Sequence, residues 1–203
     1  TLGEENYTKT VGSAQRIEVT NEKELTDALN KPAGSNVRVV IMNDITLTGG
    51  TKYIKGANTF YTIEGNTPSV TLTLSNSGYL FTVYANNITV SFKNLNIVGS
   101  MADGAALNNG WRNASTNQSI ITSSNQGTTF NFYDGFNVKN IRSDSNGIVG
   151  VINYGTKDNK SYLNVFGGNY SNLANNLYGE FGLTSSSYSR MNMFGGRIEA
   201  NYC

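Results

Sequence analysis

Phe130-Asn131-Phe132-Tyr133-Asp134-Gly135, Leu163-Asn164-Val165-Phe166-Gly167-Gly168 and Met191-Asn192-Met193-Phe194-Gly195-Gly196 are three versions of one phrase. Each alternates apolar, polar and apolar residues, reaches an aromatic and breaks at glycine, as a short strand running into a turn does. Aligned on the aromatic, the copies lie 33 and 28 residues apart, inside the roughly 20 to 50 residues typical of repeat architectures. The chain is therefore expected to be a solenoid, whose chemistry sits on loops and lateral faces.

Strand-like segments fill most of the remaining sequence. Arg38 to Met42 and Ile45 to Leu47 are separated by Asn43-Asp44, and Ile88 to Phe92 with Leu95 to Ile97 repeat that pairing. A short polar break between two short strands is how a parallel β-helix turns a corner, with Val, Leu, Ile and Phe pointing inward. Further strands are expected at Thr59 to Ile63, Val70 to Leu74, Tyr79 to Val83, Ser119 to Thr122, Thr128 to Tyr133, Gly147 to Asn153, Ser161 to Phe166, Phe181 to Thr184 and Ser189 to Phe194. Asn43, Asn66, Asn94, Asn140 and Asn172 fall at strand ends and corners, where Asn tolerates left-handed backbone angles and its amide satisfies free backbone groups.

One helix interrupts the strands. Asn21 and Glu24 resemble a capping box ahead of Leu25, Ala28 and Leu29, which share a helical face, and Pro32 closes the segment. A terminal helix with one apolar face can cover the open end of a stack of strands. Residues 1–16 are polar and without period, and are read as a tail. Residues 17–203 are read as one domain, because no charge block or Pro-rich hinge divides them. The last turn of the stack ends at Ile198 with nothing left to cover it, which predicts continuation of the polypeptide beyond Cys203.

Composition removes several mechanisms. With no His and one Cys, a Ser-His-Asp or Cys-His arrangement, a His metal ligand and an internal disulfide are all excluded. Fifteen basic against 14 acidic residues give a formal charge of +1, which offers no footprint for nucleic acid. No apolar run reaches the roughly 18 residues of a membrane span. No cofactor and no resident metal are expected.

The order of strand, Val19-Thr-Asn-Glu-x-Glu-Leu-x-x-Ala-Leu29 helix and Val39-Val-Ile-x-Asn-Asp-Ile-Thr-Leu47 resembles the pectate-lyase-like right-handed parallel β-helix superfamily. It resembles most the adhesive domains of that superfamily in Gram-positive surface proteins, such as the binding regions of serine-rich repeat adhesins. The likeness covers about residues 16 to 200. It implies an all-β, right-handed parallel β-helix with a short capping helix, located outside the cell on a bacterial surface, that binds polysaccharide or a glycoprotein glycan without catalysis. A family lyase carries clustered Asp residues for Ca²⁺ and an Arg-x-Pro-x-x-Arg segment. Here Pro32 and Pro68 lack such arginines, and Asp103, Asp134, Asp144, Asp158 and Glu180 are scattered. A Ca-dependent polysaccharide lyase is accordingly the third reading, after an adhesin and a purely structural spacer.

Residues 99–118 break the strand rhythm and hold the only Trp. Trp111, with Arg112 and Asp103, could present a flat apolar face and polar groups to a sugar ring; equally, Trp111 could pack the loop down onto the strands. Arg142 and Asp144 could approach a sugar acid or form a solvated pair. Tyr133 and Tyr154, with Tyr162, Tyr170 and Tyr188, could line a groove or cover neighbouring strands.

Overall fold

The computed structural model describes residues 1–113, 116–144, 149–152 (backbone), 155–175 and 188–202. Strands dominate it, and among the described residues every strand pairing is parallel. A seven-stranded sheet holds β1 (Gln15–Val19), β2 (Asn36–Ile41), β5 (Phe60–Gly65), β8 (Thr89–Lys93), β11 (Thr129–Phe132), β14 (Ser161–Val165) and β16 (Ser189–Met193) in that order. A six-stranded sheet holds β3 (Ile45–Leu47), β6 (Thr71–Leu74), β9 (Leu95–Val98), β12 (Phe136–Ser143), β15 (Asn169–Asn175) and β17 (Arg197–Glu199). The third sheet holds β4 (Lys52–Ile54), β7 (Gly78–Val83), β10 (Gln118–Ser123) and β13 (Val149–Ile152). From β2 to β15 the chain visits the seven-, six- and four-stranded sheets in unchanging order. Parallel neighbours cannot be joined by a tight hairpin, so each strand pairs with one from the previous or next circuit.

Register turns the alternation into columns. Val39, Ile63, Phe92, Phe132 and Val165 are successive partners in the seven-stranded sheet, all buried. Each such side chain removed from water contributes about 1.5 to 3 kcal/mol. Phe81, Phe92, Phe132, Phe136 and Tyr170 meet in the middle, with ring centroids 4.8 to 6.1 Å apart. On the opposite side of the same strands, the Asn192 amide donates to Asn164 Oδ1 and Asn164 to Asn131 Oδ1, each at 3.0 Å. The repeated phrase is thus an amide ladder flanked by core residues. Its last glycines, Gly135, Gly168 and Gly196, have φ of 76°, 92° and 88°, a region that side chains avoid.

The helix expected after Asn21 is α2 (Glu22–Ala28), with Asn21 Oδ1 accepting from Glu24 N at 2.9 Å and Leu25, Ala28 and Leu29 buried. It packs beside β1, β2 and β3. The first residues depart from expectation. In place of a tail, Leu2–Val11 form α1, started by a capping box between Thr1 and Glu4. No residue of α1 is fully buried, so it has no apolar stripe to read. It lies instead on the outer side of the seven-stranded sheet through polar contacts. Tyr7 donates to Glu64, Asn6 Nδ2 donates to Tyr133 Oη at 2.8 Å, and Asn36 Nδ2 donates to the Thr10 carbonyl at 2.9 Å.

Four strands are also new, β4, β12, β15 and β17. The segment Lys52–Ile54 is short and opens on a lysine, yet Lys52 is 3% exposed because its ammonium bonds Glu22 of α2 at 2.7 Å. β12 and β15 carry charged and polar residues and bend at Asn140 (φ 63°) and Asn172 (φ 50°), which breaks the two-residue period. Of the corner asparagines, Asn94, Asn140 and Asn172 take positive φ, whereas Asn43 and Asn66 do not. The strand expected at Phe181 to Thr184, and Cys203, lie outside the described residues. Among the described residues no helix is long and apolar enough to cross a membrane.

Candidate functional site

The outward side chains of the six-stranded sheet line an open groove of about 660 Å³. Register places them in two rows. Thr71, Asn96, Asn137 and Asn169 are successive partners in one, and Thr73, Val98, Lys139 and Ser171 in the other. Successive members lie one strand spacing apart, about 4.7 to 4.9 Å. Alternation dictates the pattern, since Leu72, Ile97, Val138 and Tyr170 from the same strands are buried in the core.

The first row is oriented by its own bonds. Asn96 Nδ2 donates to the Pro68 carbonyl at 3.0 Å, Asn137 Nδ2 to Asn96 Oδ1 at 3.0 Å, and Asn169 N to Asn137 Oδ1 at 3.1 Å. The side-chain amides of Asn96 and Asn137 are thereby held in one orientation, while further hydrogen-bonding capacity faces the groove. Lys139 is exposed and forms no salt bridge among the described residues. Asp103 stands at the groove wall, accepting from Asn140 Nδ2 at 2.9 Å.

The bends at Asn140 and Asn172 fix where this groove ends. Asn172 Nδ2 donates to Asn140 Oδ1 at 2.9 Å and to the Ala102 carbonyl at 2.8 Å, and its Oδ1 accepts from Ala106 N at 2.9 Å. These bonds tie the long loop to β12 and β15. Met101, Ala105, Ala106 and Trp111 then pack with Ala174 and Tyr202 as a small second core.

The sequence-derived residues are therefore dispersed. Of Trp111, Arg112 and Asp103, only Asp103 reaches the groove. The two readings of Trp111 resolve in favour of packing. Its ring is 3% exposed, 4.6 Å from the Tyr202 ring, and covered by the Arg112 guanidinium at 4.5 Å, so no open face is offered to a sugar. Arg142 and Asp144 form an ion pair at 2.7 Å outside the groove lining, and Asp144 N donates to Asn117 Oδ1 at 2.9 Å. Tyr133 is buried next to α1, its ring stacked 5.2 Å from Phe166, and burial raises its phenol above the ordinary value. Tyr170 lies in the core and donates to the Gly167 carbonyl at 2.7 Å, with burial pushing its pKa well up. Tyr162 is half-buried and Tyr188 exposed. Tyr154 and Glu180 lie outside the described residues.

Sequence reasoning missed the groove asparagines, Thr71, Thr73, Lys139 and Ser171. The available signal was Asn at the second position of Leu95-Asn96-Ile97 and Phe136-Asn137-Val138, the alternation that places a polar residue outward. Among the described residues, no three of Asp, Glu, Cys and His converge as a metal site. Asp134, one of the scattered acids, sits against Gly167 at a corner. No protein-family model, curated protein or solved structure matches this chain.

Proposed function

We propose that the three sheets are the faces of one right-handed parallel β-helix, and that the chain is a non-catalytic adhesin module that holds a polysaccharide or host glycan on a lateral face. The observation that carries this reading is the pair of largely polar rows in the groove, with the Asn96 and Asn137 amides held by neighbouring side chains and backbone before any ligand arrives. Preorganised amides and hydroxyls at regular spacing suit the hydroxyls of a sugar chain, because little ordering remains to be done on binding. A location on the outside of a bacterial cell belongs with this reading, as does the likeness to adhesive domains of the pectate-lyase-like superfamily.

A glycan array tests it. Selective binding by the native chain, weakened at least tenfold in Asn137→Ala and Asn169→Ala but unchanged in Trp111→Phe, is the expected result. Product formation in an unsaturated-uronide absorbance assay with Ca²⁺ would instead establish a lyase. The bonds within the Asn row favour a second reading, in which the ladder serves cohesion and the module is a spacer. On that reading the array is silent, and Asn137→Ala lowers only stability.

A further inference from the structure

A longer polar row runs along the outer side of the seven-stranded sheet. Arg38, Thr62, Ser91, Asn131, Asn164 and Asn192 are successive register partners. Two residues further along three of these strands, Tyr133, Phe166 and Phe194 stack at centroid distances of 5.2 and 5.3 Å. At the end of this row, Asn164 and Asn192 are half-buried, as outward residues of a sheet usually are. Thr62 and Ser91 are only 1% exposed and Asn131 5%.

The difference follows α1, which crosses this part of the sheet. Its residues reach Asn36 on β2, Glu64 on β5, Tyr133 after β11 and Phe166 after β14. The cover is imperfect. Thr62 Oγ1 and Asn36 Oδ1 are shut off from water with no partner, and a void of about 350 Å³ lined by Asn6, Lys9, Thr10, Asn36 and Phe60 remains beside the helix. Buried polar atoms without partners penalise the closed arrangement, and α1 returns no fully buried side chain of its own. A ten-residue helix is marginal once detached.

We infer that this row is a second glycan-binding face, separate from the groove, and that α1 is a strap which covers most of it and lifts to admit a ligand. Guanidinium, hydroxyl and amide groups at one strand spacing offer donors and acceptors to successive sugar hydroxyls. The edges of the aromatic stack supply apolar surface for sugar C–H groups. The strap displaces ligand along β2 to β11 and leaves the β14 and β16 end open as the point of entry.

Hydrogen–deuterium exchange of the intact protein gives the first test. The amides of α1 exchange at least 100-fold faster than those of β5 if the strap opens alone; equal protection of the two would overturn the inference. Next, the Asn6→Ala/Tyr7→Phe pair removes two anchoring bonds. It accelerates α1 exchange by about tenfold, the loss expected for a hydrogen bond or two, while β5 and β8 stay protected. On a glycan array this variant gains binding that Asn164→Ala or Asn192→Ala abolishes and Asn137→Ala in the groove leaves intact. A released helix with no gain in glycan binding would sink the second face, whatever the groove does.

Discussion

At Gly168, φ is 92° and an added Cβ would run into the Phe136 carbonyl oxygen. Gly168→Ala is therefore expected to destabilise the fold by roughly 1 to 3 kcal/mol, read as a lowered midpoint in urea unfolding. Glu22 is the second sensitive position. Burial alone would raise its pKa, but bonds from the Lys52 ammonium and the backbone N–H of Thr48 and Gly49 outweigh this and hold it below the ordinary 4.5. A depressed folded value means that the stabilisation is complete above the unfolded value and fades as pH falls through the folded one. Glu22→Gln leaves Lys52 buried and unpaired, a loss of roughly 3 to 5 kcal/mol near neutral pH. Urea midpoints should separate the variant from the native chain at pH 7 and converge below pH 4.5. The glycines of the repeated phrase and the left-handed Asn94, Asn140 and Asn172 were legible because their chemistry is local. The fate of Trp111 was not, because Tyr202, its stacking partner, arrives 91 residues later in the chain.

Among the anchors of α1, one is titratable. The Tyr7 phenol is pushed up to about 12, first by burial and then by its bond to Glu64. Since the folded value lies above the ordinary 10.0, the docking of α1 is fully supported below pH 10 and is lost as pH rises towards 12. Amide exchange in α1 should accelerate across that window while the strands remain protected, and Tyr7→Phe should remove the transition. The strands that sequence alone revealed were those with clean alternation, such as β6 and β14. β12 and β15 escaped because each bends at a left-handed Asn, so the outward set shifts phase within one strand. β4 escaped because its lysine is neutralised by a residue 30 positions earlier. Likewise α1 was hidden by having no apolar face, although Thr1-x-x-Glu4 was a capping signal in plain view.

Across the whole molecule, strands touch mainly their partners in adjacent circuits, so protection is expected to follow depth in the sheets. β17 is exposed at every residue and β16 has no fully buried residue, whereas β5 is buried at five of six. Exchange should therefore proceed inward from β16 and β17, with β5 and β8 last; uniform exchange of all strands would contradict neighbour-limited packing. The parallel stacking of strands was legible from the repeated phrase and the paired strands with polar breaks, but the division into three sheets and the lateral groove were not, since the groove exists only once strands from four circuits are set side by side. The amide ladder has a last consequence, for how such a chain can change in evolution. Asn131, Asn164 and Asn192 meet although 33 residues separate one pair and 28 the other, so the connections absorb differences in length. Within a strand there is no such slack, because one inserted residue exchanges inside for outside in all that follows it. Duplication or loss of a complete repeat is the permitted large step, and gene length in such a lineage would change in quanta.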